Sequence, residues 1–426
     1  MLPISPGLEQ MSNHVVFDHR IQDWGIVAIF VMVYVGMFLG GLPRLKLDRA
    51  GVALLGAIGV IGLGVMTTEQ AAKSIDLPTI LLLFSFMVVS AQMRLGGFYT
   101  AVTRRVAALP LGRNALLAAL IAVAGVLSAI FSNDIICLAM TPVVARLCLQ
   151  RQLNPVPFLV GLACAANIGS AATLIGNPQN MLIGSVLQLP FSGYLRQALV
   201  PVVLSLTVLW VWLVWGPQAP DTARWTGIAP EPADEPLFDA WQTAKGLAVA
   251  LGLLLVFLLT DWPREVAALV GAGVLLLSQR FHSSRVMGLV DWELLVLFMG
   301  LFVVNQAFET IGLAAQAVAW LGRQGFSLSD IGPLFVAGVG LSNLVSNVPA
   351  VMLLLPHLQT PEAGITLALV STLAGNLLLV GSIANLIVVD LARRSGVVID
   401  VGAHARIGIP VTVLTLGVVW GWRLLP

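Results

Sequence analysis

The feature that most constrains this chain is that its second half restates its first while both stay apolar. Ser132-Asn133 precedes Pro142, and Ser346-Asn347 precedes Pro356 at the same spacing, a displacement of 214 residues from Ser132 to Ser346. At that displacement Val52-Ala53, Leu55 and Gly59-Val60 return as Val266-Ala267, Leu269 and Gly273-Val274. Val88-Val89 and Gly97 return one residue further on, as Val303-Val304 and Gly312. A repeat this long implies two related structural units with whatever site they share where they meet.

Composition says where such a chain can live. Hydrophobic residues make up 58% and charged residues 10%, against roughly 25% charged in soluble domains. The chain cannot be polar on all sides, so it reads as an integral membrane protein. A net charge of +1 gives no basis for a nucleic-acid partner. Cys137, Cys148 and Cys164 lack paired ligand spacing and read as small buried hydrophobes. Residues 1–22 carry Glu9, Asp18 and Arg20, which does not fit a signal peptide.

Apolar runs of bilayer-spanning length, about 17–25 residues, fall near 24–40, 50–66, 77–93, 155–190 and 195–216. A second set falls near 241–260, 265–281, 291–312, 363–388 and 406–424. The stretches 114–148 and 329–356 each turn back at a Ser-Asn and read as re-entrant hairpins. The predicted organisation is a tail over 1–23, a first repeat over 24–216, a polar proline-containing cytoplasmic linker over 217–240 and a second repeat over 241–426. With the N-terminus outside, 16 of the 22 Lys and Arg residues face the cytoplasm. Arg20, Lys73, Arg196, Arg264, Arg323 and Arg423 remain outside. That split obeys the positive-inside rule, and reading either hairpin as a full span would spoil it. Five spans per half is an odd number, so the fold class is an all-α polytopic membrane protein of two inverted repeats. Each repeat has five transmembrane helices plus one hairpin with a broken helix, and both chain termini lie outside the cytoplasm.

Four segments put polar groups at lipid depth. The hairpin tips carry Ser132-Asn133-Asp134 and Ser346-Asn347. Each hairpin is followed by an interrupted run, ANIGSAATLIGNPQN with Asn167, Gly176, Asn177 and Asn180, and AGNLLLVGSIAN with Asn376, Gly381, Ser382 and Asn385. Gly176 to Asn180 and Gly381 to Asn385 share a G-x-x-x-N frame. Unwound backbone at this depth is tolerated only where it is buried in protein or lines a cavity. Its freed amides and carbonyls, together with helix ends, can hold a solute or ion. One such cluster is often only a packing device; four paired by a repeat point to a transport site.

Asp134 is the sharpest single residue, read as the one carboxylate near bilayer depth. A charge there costs about 2.5–3.5 kcal/mol even on lenient scales, so it should face a polar cavity. Three roles stay open: a proton carrier, a sodium ligand, or a cap for the hairpin helix. The second repeat has Val348 at the equivalent place, so the site is asymmetric. Glu309 reads as a solvated carboxylate near a span end, with Asn305 and Gln306 one turn deeper. The histidines, His404 among them, fall in predicted loops or tails. The chain shows no HExxH, nucleophile elbow or Walker motif in a supporting context, so an enzyme is not indicated.

The segments ANIGSAATLIGNPQN, SNLVSNVPAVMLL and AGNLLLVGSIANLIVVDLARR resemble the ion transporter superfamily, and within it the arsenite permease and silicon efflux branch. Sodium/proton antiporters and divalent-anion/sodium symporters are related to that branch. The similarity runs from about residue 24 to 424. It implies a homodimer in the bacterial inner (plasma) membrane, with a scaffold part and a mobile part moving as an elevator. It also implies secondary transport of a small inorganic solute, driven by H+ or Na+ and needing no other cofactor. The sodium-coupled dicarboxylate carriers of the superfamily present Ser-Asn-Thr at both tips, whereas here the third positions are Asp134 and Val348. An ionised Asp134 repels a di- or tricarboxylate and tolerates a neutral oxyacid. The leading expectation is a proton-coupled antiporter exporting arsenous or silicic acid; a sodium/proton antiporter and a sodium-coupled anion uptake carrier are the alternatives.

Overall fold

The computed structural model describes residues 6–42, 45–216, 237–328, 330–358 and 360–424, with side-chain surroundings from residue 22 onward. Among these the chain is helical, and a lone bridge pairs Leu42 with Leu47. The first half contributes α1 (Pro6–Leu39), α2 (Arg49–Gly62), α3 (Thr68–Ser74), α4 (Leu77–Leu95) and α5 (Phe98–Ala108). It continues with α6 (Arg113–Ile130), α7 (Asn133–Gln150), α8 (Pro155–Ser170), α9 (Pro178–Val186) and α10 (Phe191–Trp215). The second half likewise contributes ten α-helices among the described residues. It runs through α11 (Ala240–Leu259), α12 (Arg264–Leu276), α13 (Ser283–Met287), α14 (Trp292–Thr310) and α15 (Leu313–Arg323). It closes with α16 (Ile331–Val345), α17 (Asn347–Leu354), α18 (Pro361–Ala374), α19 (Ile383–Arg394) and α20 (Val401–Arg423).

Among the described residues eight helices are long and apolar enough to cross a membrane: α1 from Gln22, α4, α6, α7, α10, α11, α14 and α20. The arms of the first hairpin are in this group: α6 and α7 have 18 residues each, about 27 Å at 1.5 Å per residue. Length alone therefore does not tell a hairpin arm from a span. The turn between α6 and α7 is only Phe131-Ser132, and the two helices pack against each other. The second hairpin is shorter, with 15 residues in α16 and 8 in α17.

Helix α1 runs unbroken from Pro6 to Leu39, so the stretch expected as a tail is helical from Pro6, and the part apolar enough to cross a membrane begins at Gln22. One expectation needs correction. His404 is not in a loop: it lies in α20 and is buried. Of the linker, residues 217–236 lie outside the described residues. Its last residue before α11 that bears on structure is Asp239, whose carboxylate accepts from Trp241 N and Gln242 N and so caps that helix.

The helices pack as two compact units, each drawing on both halves of the sequence. One comprises Met1–Asp76 and Trp292–Leu328, the other Leu77–Asp291 and Ser329–Pro426. In the first, α2 buries Val52, Ala53, Gly56, Ala57 and Val60 against α1 and α14, a spacing that keeps one helical face inward.

The second unit carries the site. Every residue of α8 is buried, as is α18 from Ala363 to Ala374; a helix apolar all round belongs in the interior. Proline starts both, with Asn154 capping α8 and Thr360 capping α18. Gly169 sets the closeness of α6 and α8, since a Cβ there would lie 2.3 Å from Gly125 O. Both runs predicted to be broken are broken, over 171–177 between α8 and α9 and over 375–382 between α18 and α19.

Candidate functional site

The second helix of each interrupted pair restarts on a polar cap. Asn177 Oδ1 accepts from Asn180 N at 2.9 Å, with Pro178 at the first helical position of α9. Ser382 Oγ accepts from Ala384 N at 3.2 Å to start α19. The hairpin helices α7 and α17 begin at Asn133 and Asn347 without a side-chain cap from Ser132 or Ser346. Ser346 holds φ +78° and ψ 159°, a region that is essentially glycine's and costs about 1–3 kcal/mol for other residues.

Five of the candidates join one hydrogen-bond network with Asn167 at its hub. Asn133 Nδ2 donates to Asn167 Oδ1 at 2.9 Å, and Ser382 Oγ donates to the same oxygen at 3.1 Å. Asn167 Nδ2 donates to Asn376 Oδ1 at 2.8 Å and Asn385 Oδ1 at 3.4 Å. The direction of the relay is fixed from one end. Asn385 Nδ2 donates to Gly375 O at 2.9 Å and Leu378 O at 3.2 Å, and main-chain carbonyls only accept. Asn385 must therefore receive through Oδ1, Asn167 must give through Nδ2, and Asn133 must give through Nδ2. This leaves Asn133 Oδ1 as an open acceptor and Asn376 Nδ2 as an open donor, both buried and without a protein partner. A buried polar atom left unmatched costs about 1–3 kcal/mol.

A second cluster surrounds the first break. Asn177 Nδ2 donates to Ser170 Oγ at 2.9 Å and Thr372 Oγ1 at 3.3 Å, and Gln179 Nε2 to Thr372 Oγ1 at 3.1 Å. Asn180 Nδ2 donates to Thr173 O at 2.9 Å and Tyr194 Oη at 3.0 Å. Gly176 O receives Asn133 N at 3.4 Å, which ties this break to the first hairpin tip. Gly381 has Asn343 Oδ1 as its near neighbour, and Asn347 Nδ2 lies over Gly375. Asn347 Oδ1 and Asn180 Oδ1 are further unmatched buried acceptors.

Asp134 follows Asn133 on α7 but takes no part in the relay; it is half-buried. Asp291, which acts on it electrostatically, is itself exposed, at the residue before α14. Elsewhere, in the first unit, Asn305 accepts from Tyr34 Oη at 2.8 Å, Gln306 is exposed and Glu309 half-buried. The three cysteines are free and buried. Sequence reasoning placed Asn343 in the polar tip of the second hairpin but passed over Ser170, Thr372, Gln179, Tyr194 and His404 as site residues. Of these five, the first three lie within the interrupted segments and were legible there as buried polar residues; the others reach the breaks only through tertiary packing.

A family model described as a citrate transporter matches residues 28–374. The chain belongs to the citrate transporter family. The transporter is 30% identical to the silicon efflux transporter of Oryza sativa subsp. japonica, over 87% of this chain and 90% of that protein. It is 23% identical to the arsB transporter of Dictyostelium discoideum, over 88% of this chain and 86% of that one. Its fold is similar to the crystal structure of the Alcanivorax borkumensis YdaH transporter, with a TM-score of 0.57 and 16% identity, covering 96% and 97% of the two chains. The chain is thus an integral membrane transporter of the ion transporter type, and its resemblance to the silicon efflux branch is matched by a relative of that name.

Proposed function

We propose that this transporter is a proton-coupled antiporter that exports a small neutral metalloid oxyacid such as arsenous or silicic acid. The observation that carries the reading is the polarity of the amide relay. It ends in an open acceptor, Asn133 Oδ1, and an open donor, Asn376 Nδ2. A hydroxylated neutral solute both gives and takes hydrogen bonds and matches both ends. An ionised carboxylate group offers acceptors only and would face Asn133 Oδ1 oxygen to oxygen, and a tricarboxylate such as citrate has a single hydroxyl to give against its many acceptor oxygens. No charged side chain belongs to the relay, whose members are Asn133, Asn167, Asn376, Ser382 and Asn385. Asp134, one residue beyond Asn133, is the group to exchange a proton against the solute.

Two inverted repeats and elevator-type alternating access complete the proposal. Supporting the repeats, α6 packs on α8 as α16 does on α18, α10 on α8 as α20 on α18, and α7 on α19 as α17 on α9. Gly97 and Gly312 both take left-handed φ, 70° and 71°, before α5 and α15. A homodimer in the inner membrane, with both termini outside, follows the family resemblance and the distribution of basic residues.

A sodium/proton antiporter is the second reading, because open amide oxygens at Asn133, Asn180 and Asn347 also suit a sodium ion. Proton flux in proteoliposomes under imposed gradients of arsenite, silicic acid or sodium decides between them. Metalloid-driven proton movement that is lost in Asp134→Asn supports the oxyacid antiporter. Movement driven by sodium alone selects the second reading. Wild-type coupling in Asp134→Asn overturns its role as carrier in both.

A further inference from the structure

In each half, the helix that follows the interrupted pair reaches back to the break. Tyr194, the fourth residue of α10, donates from Oη to Ala171 O at 2.8 Å. His404, the fourth residue of α20, sets Nε2 at 3.1 Å from Asn376 O. Ala171 and Asn376 hold the same register, five residues before Gly176 and Gly381 and nine before Asn180 and Asn385. The same link is thus made twice, by a phenol in one half and an imidazole in the other. Because a main-chain carbonyl only accepts, His404 carries its hydrogen on Nε2 and donates it.

The space around this contact is shaped for it. Gly408 lies one turn beyond His404, and a Cβ there would sit 2.3 Å from Asn376 O and 2.8 Å from His404 Nε2. The residue four beyond Tyr194 is Ala198, which is buried. A phenol reaches further than an imidazole, so the first half has room for a methyl group that the second lacks. Both His404 and Asn376 are buried.

We propose that His404, seated by Gly408, is a positioning residue of the solute site. By holding the Asn376 carbonyl it fixes that residue's backbone. Asn376 Oδ1 is then placed to receive Asn167 Nδ2, and Asn376 Nδ2 is left as the open donor. His404 acts through Asn376 and does not touch the solute. The inference rests on reading the amide relay as the solute site.

The test compares wild type, His404→Phe and His404→Gln, all full length in lipid nanodiscs, by hydrogen exchange of the peptide covering 375–382. His404→Phe is expected to speed exchange there about tenfold, while His404→Gln, which keeps a side-chain N–H at similar reach, stays within about twofold of wild type. In arsenite transport, His404→Phe should raise KM about tenfold with kcat changed less than about threefold, and His404→Gln should restore KM. Exchange at 375–382 unchanged in His404→Phe, or equally fast in His404→Gln, overturns the proposal. Should His404→Phe not fold, Gly408→Ala keeps the imidazole but drives a methyl into the carbonyl; unchanged exchange in that variant overturns the proposal too. A wild type that moves no arsenite would overturn the oxyacid reading, and the exchange comparison would still decide the role of His404.

Discussion

Asn167 donates to Asn376 at 2.8 Å across 209 positions of sequence, joining the ends of two buried helices from opposite halves of the chain. The same side chain receives Asn133 and Ser382. One amide therefore registers a hairpin tip and both halves of the second break against each other.

Replacing that hub should be felt both in stability and in transport. Asn167→Ala leaves Asn133 Nδ2 and Asn376 Oδ1 without partners, at about 1–3 kcal/mol for each buried group left unmatched. We expect a lower melting temperature and a transport rate reduced at least tenfold, on the order of 1.4 kcal/mol in the barrier. Asn167→Asp should be as damaging, because a carboxylate keeps the acceptor for Asn133 but cannot donate to Asn376 or Asn385. Thermal melts and solute flux measured on the same preparation would reveal a hub that matters to only one of them.

Ser346 carries backbone strain at the second hairpin tip, with φ +78°. Glycine adopts that conformation without the penalty, so Ser346→Gly should raise stability by up to about 1–3 kcal/mol. Its unfolded-state entropy offsets about 0.5–1 kcal/mol of that gain. A melting temperature that falls would mean the strain is compensated by contacts of the serine itself.

Gly169 lets α8 lie against α6, with a Cβ position 2.4 Å from Gly125 Cα. Gly169→Ala forces two backbones apart inside the second unit, and overpacking of this kind costs about 1–3 kcal/mol. We expect reduced yield of monodisperse protein and a lower melting temperature, checked by size-exclusion chromatography and thermal melts. Gly62 has open space around its Cβ position, and Gly62→Ala serves as the neutral control.

Asp239 predicts a pH dependence. Its carboxyl is held below the usual carboxylate range by the Gln242 amide first, and then by the Arg280 guanidinium at 2.6 Å. A carboxyl depressed in the folded state stabilises fully above its unfolded value, near 3.9, and that contribution is lost as pH falls through the lower folded value. Asp239→Asn should thus melt below wild type at neutral pH, and the gap should close in acid below about pH 4. A gap independent of pH would assign the effect to the lost side-chain geometry and not to charge.

The sequence by itself determined the membrane class and both interrupted segments. These are local matters: apolar run length, proline and glycine at the breaks, and Asn or Ser where each helix restarts, as at Asn177 and Ser382. It also named Asn133, Asn167, Asn376 and Asn385, because buried amides in an apolar run have few other uses. It singled out Asp134 but carried no sign of the electrostatic influence of Asp291, which is visible only in space. It misplaced His404, because a histidine just outside the predicted apolar run 406–424 has no local mark of burial. Only the tertiary structure decided which amide gives and which receives. That direction starts from Asn385 bonding two main-chain carbonyls and propagates through Asn167 to Asn133. Hydrogen-bond partners separated by 34 to 218 residues leave no trace in local pattern, because a hydrogen bond depends on where two atoms meet after the helices have packed.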